Sequence, residues 1–141
     1  MPNGKTHDII TYLTTPIVGI MGYVITSDIK TTLILMSTYF FASMMFNGDL
    51  DTNSRPYNRW FVFKMIWIPY QLLFHHRSIF THGIIIGTII RIIYLGLIPF
   101  IFILIKGNLE VITSINLNII IIMFIGLELG SAIHAISDKI F

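Results

Sequence analysis

Residues 60–74 read WFVFKMIWIPYQLLF, and where this stretch lies decides the architecture of the chain. It is apolar but short, because a helix that crosses a bilayer needs roughly 20 such residues. It also carries Lys64, Pro69, Trp60, Trp67 and Tyr70. Tryptophan, tyrosine and lysine favour the headgroup level, where an amphipathic helix buries only its apolar side. The stretch therefore reads as an interfacial segment, with a fifth membrane crossing as the competing reading.

The surrounding composition gives this choice its weight. Of 141 residues, 55% are hydrophobic and only 11% are charged, and the mean hydropathy is +0.80. A water-soluble chain carries about 25% charged residues. The expected fold class is an all-α integral membrane bundle of one domain, 1–141, embedded in the lipid bilayer. Four stretches are long and apolar enough to span: 9–26, 31–46, 83–105 and 117–136. The first is weakened by Thr11, Thr14, Thr15 and Pro16, the third is interrupted by Arg91 and Pro99, and the fourth carries Glu128. Residues 26–30 (TSDIK) make a tight turn between the first two, and Lys106 to Asn116 connects the last two. The beginning, MPNGKTHD, lacks the pattern of a cleaved signal peptide, so insertion is expected to rely on the internal spans and the mature chain to begin near Met1 or Pro2.

With four spans, the N-terminus, residues 47–82 and the C-terminus all emerge on one side. Every histidine falls on that side, together with Asp8, Asp49, Asp51 and Asp138. With five, His7, Asp49 and Asp51 would be separated by the membrane from His76 and His82, so convergence favours four. Lys5, Arg55, Arg59, Lys64, Arg77 and Lys139 also lie on the histidine side, against Lys30 and Lys106 on the other. The positive-inside rule then makes the histidine side, with both termini, cytoplasmic in a multi-pass cell-membrane protein. A net charge of +2, spread along the chain, gives no footprint for nucleic acid.

The polar residues on that side form a pattern. Asp49 and Asp51, at i and i+2 after Gly48, can both turn towards one cation or simply form a solvated turn. His134 and Asp138, at i and i+4, share one face of the last span. His75, His76 and His82 stand at the mouth of the third. Imidazole and carboxylate together suit zinc, manganese, iron or nickel. No cysteine is present, so a thiolate site and a disulfide are both excluded. Arg91 lies nine residues beyond His82 and Glu128 six before His134. At 1.5 Å per residue they sit at similar depth, roughly 13 and 9 Å below the site, and are expected to pair across adjacent helices.

In order along the chain, GKTHDIIT, FNGDLD, RWFVFKMIWIPYQ, HHRSIFTHGIIIGT and GLELGSAIHAISD resemble an uncharacterised bacterial family of membrane metal-binding proteins. The set is more distantly similar to the membrane-bound metal-dependent hydrolases, which share a His, an Asp-x-Asp, a His-Arg followed by Thr-His, and a terminal His-x-x-x-Asp. The resemblance covers nearly the whole chain. It implies metal ligands at His7, Asp49, Asp51, His76, His82, His134 and Asp138, with His75 outside the pattern. Asn47 stands before Gly48 where the hydrolases commonly have a proline nearby. Seven candidates exceed one tetrahedral shell, so either two ions bind, or one binds and the remaining residues orient its ligands or act as acid and base.

The function expected is a metal-dependent hydrolase at the cytoplasmic face. Asp49 or Asp51 would serve as base, and Arg77 would grip an anionic group of a lipid or lipid-linked phosphoester. The alternatives are a non-catalytic scaffold in which metal ties helix ends together, and a transport protein, which would need ligands along a path through the membrane or an oligomer to form one.

Overall fold

The threonine-rich first apolar run is helical from Gly4. In the structure, a computed structural model that describes residues 4–107, 110 and 116–140, α1 runs Gly4–Thr26, beginning before the expected Ile9. Thr11, Thr14 and Thr15 donate their hydroxyls to the carbonyls of His7, Ile10 and Thr11 at 2.9, 2.7 and 2.7 Å. Each hydroxyl is thus satisfied within the helix. A break at Ser27 and Asp28 follows. The Asp28 carboxylate accepts from the backbone N–H groups of Lys30 and Thr31 at 3.4 and 2.8 Å and so caps α2, Ile29–Met45.

A 3-10 turn, Gly48–Asp51, leads to α3, Arg55–Asn58. A second, Phe61–Ile66, runs into α4, Trp67–Leu73. Beyond α5, Ile79–His82, come α6, Ile86–Lys106, and α7, Leu117–Ile140. Gly107, in the left-handed region at φ +67°, closes α6. The expected connection from Lys106 to Asn116 lies outside the described residues at 108, 109 and 111–115. Among the described residues every regular element is helical, and α1, α2 with its following turn, α6 and α7 are long and apolar enough to cross a membrane.

Residues 61–73 form a shorter apolar helical segment, in keeping with four long helices rather than five. Two of its aromatic rings face the protein interior. Trp67 and Tyr70 are fully buried and stack edge-on at 5.4 Å, with Trp60 against Trp67 at 5.2 Å. The outward positions are Phe61, Val62, Phe63, Met65, Leu72 and Leu73. The reason is the end of α2. Its last carbonyls lack helical partners and are met by Arg59 Nη1 on Met44 O at 2.9 Å and Trp60 Nε1 on Met45 O at 2.8 Å. Those bonds draw the segment inward, so that Trp67 and Tyr70 pack with Phe46 and Leu50.

α2 lies between α1 and α7. It approaches α7 closely where a Cβ on Gly126 would stand 2.8 Å from the Leu35 carbonyl, and one on Gly130 would stand 2.9 Å from Ser43 N. Small residues permit this backbone approach. The expected third span begins later than Gly83, because Gly83 is extended, with ψ 132°, and Ile85 has a positive φ of 68°. α5 is accordingly a separate turn. Arg91 and Glu128 do not make the expected ion pair. The Arg91 guanidinium donates to Thr81 O at 2.6 Å, Thr88 Oγ1 at 3.1 Å and Ser131 Oγ at 2.9 Å, and Glu128 Oε1 accepts from the backbone N–H of Ile85 at 2.8 Å. Broken backbone at the start of α6 supplies each charge with a nearer partner, and the two side chains line one cavity of about 10 Å³.

Candidate metal centre

The N-terminal end of α1, the C-terminal ends of α2 and α7, and the α5 turn meet at one end of the bundle. The aspartate turn there is anchored from four sides. Asn47 is buried and donates through Nδ2 to Ser43 O at 2.8 Å, while its Oδ1 accepts from Asp49 N at 3.2 Å. Leu50 is fully buried in the aromatic core. Gln71 Nε2 donates to Leu50 O and Thr52 O at 3.0 and 3.1 Å, and Ser54 Oγ donates to Asp49 O at 2.6 Å. The first service of residues 60–74 to the site is therefore Gln71.

The two aspartates point to different places, since a 3-10 turn advances about 120° per residue. Asp49 Oδ1 lies 3.3 Å from His82 Nε2 and its Oδ2 3.2 Å from His134 Nε2. Asp51 lies behind His82, with Oδ2 3.5 Å from Nδ1 of that ring, and its Oδ1 meets His76 Nδ1 at 2.8 Å. Thr81 Oγ1 is also 3.0 Å from His82 Nδ1. Nδ1 of His82 thus faces Asp51 and Thr81 while Nε2 faces Asp49, so a metal replacing the Nε2 proton would leave Nδ1–H held by Asp51 and Thr81. A carboxylate on the far nitrogen of an imidazole is the usual way a metal-ligating histidine is oriented. Burial alone would lower the pKa of His82, but Asp49 and Asp51 on either side of the ring outweigh it and hold it at about 9.

From α1 and α7 come His7, His134 and Asp138. His7 Nε2 is 3.2 Å from Asp138 Oδ1, His134 Nε2 is 3.7 Å from Asp138 Oδ2, and the two rings tilt at 32° with centroids 4.2 Å apart. Donor atoms of His7, His134 and Asp138 lie within 4.8 Å of one another, and so do those of Asp49, His82 and Asp138. Five of the seven expected ligands are thereby gathered. Asp51 and His76 stand outside both groups, tied to each other and to the far nitrogen of His82. Arg77 is exposed, adopts φ +60°, and is held there by its backbone N–H on Asp51 Oδ2 at 3.1 Å. His75 is exposed.

The donor set fits a divalent ion. Imidazole nitrogen and carboxylate oxygen are the ligands of zinc and its first-row neighbours. His134 is 4% exposed, yet neither ring nitrogen makes a hydrogen bond, because its approach to Asp49 is short but poorly aligned; His7 Nδ1 is also unbonded. Buried polar atoms are nearly always hydrogen-bonded, and unbonded imidazole nitrogens among carboxylates fit a candidate cation site.

Two contributors escaped sequence reasoning. Gly48 does more than let the chain turn, because a Cβ there would stand 2.8–2.9 Å from the His82 ring. Asp8 accepts from Arg59 at 2.7 Å and Arg55 at 3.0 Å and is thereby neutralised. Its place beside His7 in sequence was the available signal for its location, but its partners lie some fifty residues away.

A partly buried histidine and aspartate constellation at one end of four long apolar helices is the arrangement of a candidate metal-binding protein. The chain belongs to the uncharacterized metal-binding protein family DUF2227, whose sequence pattern matches residues 2–141. It is similar to an uncharacterized protein of Aquifex aeolicus (strain VF5), at 34% identity over 58 residues, and the aligned part is 40% of each chain. No solved structure matches.

Proposed function

We propose that the protein is a membrane-embedded, metal-dependent hydrolase that acts at the cytoplasmic face on an anionic phosphoester, lipid or lipid-linked. One observation carries the reading. The candidate ligands His7, Asp49, His134 and Asp138 line an open cavity of about 180 Å³ whose other walls include Arg55 and Arg59. A metal that only ties helices together is closed off by its ligands, whereas a catalytic one keeps a position open.

A bound divalent ion would supply a water of lowered pKa and polarise a phosphoryl oxygen. His7, His134, His82, Asp49 and Asp138 would hold it. Arg77 lines a second opening of about 280 Å³ with His82, Asp138 and Lys139. From there its guanidinium would grip a phosphate by paired hydrogen bonds. Asp51 orients His82 and is a positioning residue.

Insertion in a bilayer is supported by an inside-out distribution of side chains. Buried residues include Thr32, Ser43, Asn47, Thr88, Arg91, Ser131 and Ser137, while the isoleucines and leucines of α1, α6 and α7 point largely outward. Transport is disfavoured because the deep charges Arg91 and Glu128 are engaged with backbone and hydroxyl groups and form no line of ligands.

The test is metal content and hydrolysis of phosphodiester and phospholipid substrates by detergent-purified protein, beside His82→Ala and His134→Ala. Expected are bound metal and a chelator-sensitive activity in the wild type, with metal content reduced and activity lost in the variants. Bound metal and chelator-dependent unfolding with no hydrolysis of any phosphoester would favour the scaffold. The chain has no cysteine, so Lys30→Cys and Asn53→Cys report sidedness. A membrane-impermeant thiol reagent on intact cells should label the first and spare the second.

A further inference from the structure

The candidate ligands are arranged for more than one ion. We infer that the centre is binuclear, with Asp138 and Asp49 shared between two divalent metals. This rests on the reading above that the constellation holds metal, and it settles how many ions and which residues each one takes.

The donors fall, among the described residues, into two overlapping groups of three: His7, His134 and Asp138, and Asp49, His82 and Asp138. Asp138 belongs to both. Asp49 also spans them, since Oδ1 addresses His82 Nε2 at 3.3 Å and Oδ2 addresses His134 Nε2 at 3.2 Å. A carboxylate whose two oxygens face imidazoles from different groups is placed to bridge two ions. Each group also has its own opening. His7 and His134 face the cavity with Arg55 and Arg59, and His82 faces the one with Arg77 and Lys139, while Asp138 lines both.

Two-metal sites clamp both the attacking and the leaving oxygen of a phosphoryl displacement, the chemistry of the reading above.

The test is to saturate the detergent-purified full chain with Mn²⁺, remove the excess, and measure metal per chain by elemental analysis together with the electron paramagnetic resonance spectrum. Expected are two ions per wild-type chain with an exchange-coupled spectrum. His7→Ala and His82→Ala should each retain one ion with an isolated six-line signal, and Asp138→Asn should fall to one or fewer. Circular dichroism confirms that each variant is helical, and the wild-type titration stands independently of all of them. Saturation at one ion per chain overturns the binuclear inference and leaves the metal-binding reading intact. Two ions with uncoupled spectra overturn the shared carboxylates. No bound metal overturns the underlying reading as well.

Discussion

Gly48→Ala separates the architecture of the site from the stability of the bundle. A Cβ at position 48 would stand 2.8 Å from His82 Cδ2 and 2.9 Å from Cγ and Nε2. Because comfortable contact begins at about 3.5 Å, the ring must retreat by roughly 0.6 Å or more. The ring is the end of a side chain, so the backbone can stay where it is, and the overpacking cost falls at the low end of about 1–3 kcal/mol. The displacement is large for a ligand. His82 Nε2 is 3.3 Å from Asp49 and Nδ1 is 3.0 Å from Thr81, and a shift of this size disturbs that alignment. Disturbing the support of a ligand typically weakens metal binding about 10–100-fold, equivalent to roughly 1.4–2.8 kcal/mol. Calorimetric titration of chelator-stripped protein with Zn²⁺ or Mn²⁺ measures that loss, and thermal unfolding without metal should change by only a few degrees. An unchanged affinity would refute the reasoning, because it would mean that His82 does not hold metal where Gly48 lets it lie. Unfolding of the metal-free variant would equally show that Gly48 is required by the fold and not by the ligand.

Two further outcomes follow from the same geometry. With metal removed, the pKa of His82 is raised from its ordinary 6.5 to about 9, so its protonated ring favours the folded state fully below pH 6.5 and that contribution disappears as pH rises through about 9. Thermal stability in chelator should therefore decline across that window. Metal competes with the same proton, so affinity should rise over the same range, and a flat profile in both would count against the pairing of His82 with Asp49 and Asp51. For Arg91, replacement by Met removes three charge-assisted hydrogen bonds worth roughly 1.5–3 kcal/mol each before non-additivity. A loss of about 3 kcal/mol or more in denaturant unfolding is expected. Arg91→Lys should recover only part of it, because an ammonium lacks the planar fork that reaches Thr81 and Ser131 together; full recovery would show that charge alone suffices.

The sequence by itself determined the class of element and the gathering of the site. Four long apolar runs can satisfy their backbone only as helices if lipid surrounds them. The parity of four such helices brings His7, Asp49, His82, His134 and Asp138 to one end without knowledge of packing. The shortness of residues 60–74 was enough to exclude a fifth long helix. Tertiary structure decided the partners. Nothing in the spacing of Asp49 and Asp51 says that one faces the ligands and the other the back of His82, because that depends on the turn being 3-10 and on Gln71 and Asn47 holding it. Helical depth placed Arg91 near Glu128, but a pairing between helices depends on rotation about their axes and on nearer groups, and broken backbone at Thr81 and Ile85 offered both charges a closer one. Burial of Trp67 and Tyr70 was equally hidden, since amphiphilic rings suit an interface and an interior alike, and only the unmet carbonyls at the end of α2 drew them inside.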